Sequence, residues 1–516
     1  MTAQEPLTLD GQPLEVDDVV AVARDGLPTD IGGNARLALA RSRAIVDDVL
    51  ADGDAHYGIN TGFGSLARTR IDTDRLADLQ ANLVRSHAAG VGEPLPSDVV
   101  RGMLLLLAAS LCRGRSGIRD EVPLLITRLL NERIEPIVPS VGSVGASGDL
   151  APLAHCALTF IGEGEVLHAG EAKSASQALT DAGLGAVSLQ AKEGLALING
   201  THLMASEAAL LCADAKRLLD AACLASCMSI DGMKATAASL DPRAIELRGH
   251  PGPVRVAGLM RALLAGSSVL ESHAENDSRV QDPYSLRCAP QVLGAAADCL
   301  DHARRATERE LSAVTDNPLV FAEEPRIVSA GNFHGMPIAI PLDSLAIAIT
   351  HIAGIAERRV YLMLAARDPE AGLQPYLAKQ PGLQSGLMIA QYTAAACCNE
   401  LIGLATPASV ANIPTSAGTE DYNSFGPRGA AKARRGMELA RNVVAIELIC
   451  AAEALDAQHD LGLHSGAGVE LAHERVRERV PRLEHDRPPA PDIASVAKAI
   501  AEGRFAIDEL LGRGII

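Results

Sequence analysis

No Cys-x-x-Cys pair occurs among the 10 cysteines, no His-Glu-x-x-His among the 14 histidines, and no Gly-x-Gly-x-x-Gly behind a predicted strand. The first absence removes the usual redox and zinc signatures, leaving buried free thiols in a reducing cytosol as the reading for the cysteines; Cys223 and Cys227 fall one helical turn apart. The second predicts no metal, since His459 and His464 come with no carboxylate arrangement that suggests zinc. The third implies no dinucleotide or other nucleotide cofactor. Basic charge is also short: a net charge of −18 argues against nucleic acid or an anionic membrane as partner. The apolar run near Met103 to Cys112 is too short to span a bilayer, and Met1 to Pro6 lacks the basic and apolar regions of a signal peptide, so a cytoplasmic protein is expected.

What the chain has is helix. Ala- and Leu-rich segments with helical period cover 74–89, 97–113, 118–131, 202–224, 290–314, 337–366, 385–404 and 427–455. Several exceed the ordinary length of about a dozen residues, and long helices apolar around much of their circumference must be surrounded by others. A mainly α protein with a central bundle, probing beyond one subunit for cover, is predicted. Strand candidates are few: Leu7–Leu9, and Glu165–Glu171, where alternation meets a glycine turn. No linker or low-complexity stretch separates domains, and no repeat of roughly 20–50 residues is visible. Between the helical runs lie glycine-rich loops at 57–64 and 142–148 and further loops at 315–318 and 416–426, which is where a rigid scaffold places reactive groups.

One loop has unusual chemistry. In Ala146-Ser147-Gly148 the backbone N of Gly148 can attack the carbonyl carbon of Ala146. Loss of two waters, one carrying the Ser147 hydroxyl, leaves a five-membered imidazolone with an exocyclic methylene, an electrophile. Gly148 lacks the Cβ that would obstruct the approach, and Ala146 is small enough not to block closure. Asp149 is expected as the N-cap of the following helix, which accepts Pro152 in its first turn.

The run Val144-Gly145-Ala146-Ser147-Gly148-Asp149-Leu150-Ala151-Pro152-Leu153-Ala154-His155 resembles the active-site segment of the aromatic amino-acid ammonia-lyases and aminomutases. Further segments resemble that family in the same order: 56–64, Ser86-His87-Ala88-Ala89-Gly90, 193–201, 280–288, Thr315-Asp316-Asn317-Pro318-Leu319, Gly331-Asn332-Phe333-His334 and Pro414-Thr415-Ser416-Ala417. The resemblance runs from about Tyr57 to the C-terminal helices. It implies an ammonia-lyase (fumarase/aspartase-like) architecture: an N-terminal domain, 1–200, carrying the reactive loop, and a C-terminal helical bundle, 201–516. It further implies a homotetramer with active sites shared between subunits, acting on an amino acid as its small-molecule substrate. The cofactor it implies is 4-methylidene-imidazole-5-one (MIO), formed autocatalytically from Ala146-Ser147-Gly148.

Residue roles follow from the same resemblance. Tyr57 matches the catalytic base, which needs its pKa drawn down from about 10 to work near neutrality. Asn199 and Tyr284 match donors near the MIO carbonyl and the reacting amine. Arg287 matches the carboxylate clamp, for which a planar guanidinium is suited. Gln281, Asn317 and Phe333 match other pocket positions; for Asn317, an Asx turn before Pro318 is an equally good reading. Ser86-His87, Met388 and Glu420 resemble the members of the family that use histidine, which implies deamination of L-histidine to trans-urocanate. An imidazole can satisfy His87 and Glu420, whereas a phenyl ring leaves the carboxylate unpaired.

Two stretches depart from the family pattern: Glu420-Asp421-Tyr422-Asn423-Ser424-Phe425, and Ser272 to Arg279, which reads one residue longer than usual. Tyrosine or phenylalanine deamination and 2,3-aminomutase activity therefore stand as alternatives, as does an inactive helical relative that has kept only the fold.

Overall fold

A computed structural model of the chain describes residues 5–52, 54–62, 71–275, 277 and 279–508. Phe63 and Gly64 of the first glycine-rich loop, and Asn276 and Ser278 of the divergent 272–279 stretch, lie outside them.

The expected helices form with small shifts at their ends: Leu76–His87, Ser97–Cys112, Glu121–Asn131, His202–Gly232, Ala289–Leu311, Met336–Ala365, Met388–Leu404 and Gly426–His459. Helix Met336–Ala365 is long and apolar enough to cross a membrane, and 67% of its most apolar window is buried within the molecule, as in the core helix of a packed protein. Leu7–Leu9 pairs in parallel with Thr29–Ile31. The second predicted strand is a hairpin, Glu165–His168 against Glu171–Ser174, turning at Ala169 and Gly170, both with positive φ. All ten cysteines are free; six, including Cys223 and Cys227, are buried.

The chain forms two compact units. The first comprises residues 1–213, 303–343 and 407–431, the second 214–302, 344–406 and 432–516. A boundary near residue 200 describes only the first of these crossings, because the chain returns twice to the first unit. Four of the five division points fall inside long helices, and the fifth, at 406/407, just beyond the end of helix Met388–Leu404.

In the first unit, every residue of helix Ser97–Cys112 from Val99 onward is buried. Its one internal cation, Arg101, is satisfied by donating to the carbonyls of Val22, Ala23 and Leu130 at 2.8, 3.1 and 3.1 Å. Gly102 lets helix His202–Gly232 approach, since a Cβ there would sit 2.1 Å from the Ser206 hydroxyl. In the second unit, helices Met336–Ala365 and Gly426–His459 are tied by Arg359 and Glu447, both fully buried, with Arg359 Nη2 donating to Glu447 at 2.9 Å. Ser229 also donates to Glu447, at 2.9 Å, and Arg359 Nη1 reaches the Ser285 carbonyl at 3.0 Å, so the buried charges keep few unmet hydrogen bonds.

Candidate active site

The first unit holds a cavity of about 730 Å³ lined by Tyr57, Ser86, His87, Ala146, Ser147, Asn199, Asn317, Phe333, His334, Glu420 and Tyr422, among others. Segments up to 365 residues apart in sequence are thus brought to one cavity, and each is held by identifiable backbone geometry.

The loop bearing Ser147 is fixed on three sides. The Ser143 hydroxyl donates to the Asp149 carboxylate at 2.9 Å, and Asp149 N donates to the Gly200 carbonyl at 2.7 Å. Gly335 N and the Ser424 hydroxyl both donate to the Gly145 carbonyl, at 3.1 and 3.0 Å, and Phe425 N donates to Val144 at 2.9 Å. Gly145 and Gly148 have φ of +68° and +69°; a Cβ would lie 2.0 Å from the Ser424 hydroxyl at the first and 2.1 Å from the Gly200 carbonyl oxygen at the second. Ala146 and Gly148 are buried, whereas Ser147 between them reaches the cavity. These residues fit the MIO group. The nucleophilic nitrogen belongs to a glycine held in a tight left-handed turn, the hydroxyl to be lost faces open space, and Asn199 Oδ1 nearby is buried without a hydrogen-bond partner.

Asp149 corrects an expectation. It occupies the N-cap position of helix Leu150–Phe160 but makes no side-chain cap to it. Its carboxylate instead accepts from Leu203 N and Met204 N, at 2.9 and 3.1 Å, in the first turn of helix His202–Gly232. The reactive loop is therefore bonded to the start of a 31-residue helix, an anchor that a local capping pattern cannot reveal. Burial pushes the Asp149 carboxyl up to about 7, against the hydrogen bonds from Met204, Ser143 and Leu203 that pull it down.

Tyr57 is half-buried at the start of its loop. Asn60 shapes that loop: its carbonyl oxygen accepts from His56 N and its amide donates to the Asp54 carbonyl, both at 2.7 Å. Gly58, at φ +74°, is required there, because a Cβ would meet Leu195 at 2.6 Å. Asn199 donates to the Asn317 carbonyl at 3.2 Å. Asn317 lines the cavity, and its side-chain oxygen accepts from Ser329 and from Ala330 N, at 3.2 and 2.7 Å, bonds to a distant segment and not those of an Asx turn. Next to it, Lys192 and Asp316 form a fully buried ion pair at 2.6 Å.

In the same cavity, His87 closes helix Leu76–His87. Its Nδ1 lies 2.8 Å from the Leu83 carbonyl, which fixes the proton on Nδ1 and leaves Nε2 as an acceptor. Glu420 accepts from the Thr415 hydroxyl at 3.2 Å and keeps acceptor capacity. His334 and Tyr422 were not assigned from the sequence. His334 ended a motif that pointed to Phe333, and Tyr422 stood only as a departure; both line the cavity, with His334 Nε2 3.1 Å from the Tyr422 carbonyl.

Gln281, Tyr284, Arg287 and Met388 belong to the second unit and are not among the residues lining this cavity. Gln281 and Tyr284 are exposed, Tyr284 to 71%, and the Arg287 guanidinium lies 4.6 Å over the Tyr284 ring with its buried Nε unpartnered. No lysine or arginine occurs among the described residues that line the cavity.

Comparison with known proteins agrees with this geometry. A family model for aromatic amino acid lyases matches residues 14–478. A histidine ammonia-lyase of Stigmatella aurantiaca is 48% identical over 499 residues, 97% of each chain. Among solved structures, the tyrosine aminomutase of Streptomyces globisporus matches with a TM-score of 0.92 at 34% identity, covering 98% of this chain and 99% of that one. The histidine ammonia-lyase of Trypanosoma cruzi matches with a TM-score of 0.90 at 36% identity, covering 97% and 94%. The loop at 142–149, the cavity it faces and these matches along nearly the whole chain place the protein in one family: it belongs to the aromatic amino acid lyases.

Proposed function

We propose that this chain is a histidine ammonia-lyase, converting L-histidine to trans-urocanate and ammonia, with Ala146, Ser147 and Gly148 as the source of its MIO group. The observation that carries the reading is one cavity lined by Ser147, Tyr57 and Asn199 together with His87 and Glu420. Once formed, MIO supplies an electrophile for the substrate amine. The protein's own groups do the rest. Tyr57 takes the β-proton as the carbon–nitrogen bond breaks. Asn199 donates hydrogen bonds toward developing charge, and Phe333 packs beside the reactive loop. Glu420 accepts from the imidazole N–H of the substrate, and His87 lines the same cavity.

The described residues that line the cavity include no lysine or arginine, and the substrate carboxylate needs a cation. We assign it to Arg287 of another copy of the chain, delivered with Gln281, Tyr284 and Met388, in a homotetramer whose active sites are shared. The exposed Tyr284 and the unpartnered Arg287 Nε support this, as do Ile389, Tyr392 and Ile402, exposed to 57, 61 and 66% on helix Met388–Leu404. The free thiols and acidic charge suit a cytoplasmic setting.

Incubation of the purified protein with L-histidine, followed by urocanate absorbance, is the direct test. Turnover of L-tyrosine or L-phenylalanine in its place would overturn the substrate assignment, and recovery of a β-amino acid would make the protein an aminomutase.

A further inference from the structure

We infer that His459, His464 and Glu470, in the second unit and apart from the candidate active site, form a binding site for a divalent transition-metal ion of the zinc class. The sequence places His459 and His464 without a carboxylate, and the fold corrects that expectation. His459 is the last residue of helix Gly426–His459, and Glu470 and His473 lie on helix Ala467–Arg477, which packs back against it. His459 Nε2 is 3.0 Å from Glu470 Oε1, the His459 and His464 rings are 5.5 Å apart, and one donor atom from each of the three residues lies within 4.8 Å of the others. Donors bound tetrahedrally at about 2.0–2.2 Å from zinc stand roughly 3.3–3.6 Å apart, so small side-chain rotations bring these three onto one ion.

The surroundings hold the set in place. The turn at 460–466 is pinned by Ser268, whose N and hydroxyl donate to the His464 carbonyl at 2.8 and 3.0 Å and whose hydroxyl oxygen accepts from His464 N at 2.8 Å. Ser465 N donates to Glu470 Oε1 at 2.6 Å and orients that carboxylate. Nothing comparable explains the His464 ring, which is exposed and makes no hydrogen bond among the described residues. Behind the set, Asp456 Oδ1 lies 4.0 Å from His459 Nδ1, beside the imidazole but beyond hydrogen-bond distance. Asp456 is itself occupied by His473 and Arg477, each at 2.7 Å, and so backs the site rather than joining it. Two imidazoles and one carboxylate favour zinc, cobalt or nickel over magnesium or calcium, and the exposed His464 leaves a fourth position for water.

The test uses tag-free full-length protein titrated with Zn(II) by calorimetry and with Co(II) by visible absorption. One ion per chain is expected, with affinity at least tenfold weaker in His464→Ala and in Glu470→Gln and unchanged in His302→Ala, which removes an exposed histidine elsewhere in the same unit. His464→Ala keeps the backbone bonds to Ser268 and so retains the fold; its thermal midpoint should match the wild type without metal and lack the wild-type rise with Zn(II). Absence of stoichiometric binding by the wild type, or binding undiminished in both variants, would overturn the assignment.

Discussion

Single residues decide the chemistry at the 142–149 loop. If Ala146-Ser147-Gly148 cyclises, the intact mass of the protein falls short of the sequence mass by two waters, and Ser147→Ala restores the full mass while abolishing the near-ultraviolet chromophore and most activity. Mass spectrometry settles both. Gly148→Ala should also lose the chromophore, because its Cβ would meet the Gly200 carbonyl in a backbone region that alanine disfavours.

Asp149 carries a pH signature. Its native pKa is raised from 3.8 to about 7, so between those values the folded state holds a proton that the unfolded chain releases. Its contribution to stability is present below about 4 and lost as pH rises through 7. Asp149→Asn cannot ionise, so its thermal midpoint relative to wild type should climb between pH 5 and pH 8; a constant difference would contradict the assignment. In the cavity, Ser86→Phe combined with His87→Leu should lower kcat/KM for L-histidine by roughly one to two decades, as expected for a lost buried polar contact of about 1–3 kcal/mol, and shift preference toward L-phenylalanine. The residue types at Tyr57, His87, Ser147, Asn199 and Glu420 were legible because their motifs are local. The role of Asp149, the Lys192–Asp316 pair and the presence of Tyr422 at the cavity were not, since each depends on a partner far along the chain.

Helices were the most legible elements, because apolar period and length survive any detail of packing. What periodicity does not report is which buried charges pair across helices. Arg359 and Glu447 are 88 residues apart and fully buried. Arg359→Met should destabilise the protein by about 3–5 kcal/mol, by stranding a buried carboxylate, while adding Glu447→Leu recovers much of the loss. Denaturant midpoints of the wild type and of the single and double variants check this. The hairpin at 165–174 shows the opposite limit: its alternation was visible, but its second arm, Glu-Ala-Lys-Ser, is too polar to read as a strand without its partner.

At the scale of the whole molecule, the alternation of the chain between two units is not legible in the sequence, since no linker marks the crossings at 302/303, 343/344 and 406/407. A tetramer, four times the 53.7 kDa chain by light scattering, is expected. Mixing inactive Tyr57→Phe with inactive Arg287→Ala under subunit exchange should regain part of the activity, as some sites then combine an intact Tyr57 with an intact Arg287. An active monomer, or a mixture that stays inactive despite exchange, would refute shared sites.

The clasp on the reactive loop has a bearing on biosynthesis. Gly145 is gripped by Gly335 and Ser424, and Val144 by Phe425, segments that leave the ribosome long after residues 142–149. A nascent chain that has not yet reached residue 425 lacks those grips, so ring closure that relies on the compressed turn would be a late event, deferred until the polypeptide is nearly finished. Truncated products would then carry an inert Ala-Ser-Gly, and a cell would be spared reactive fragments.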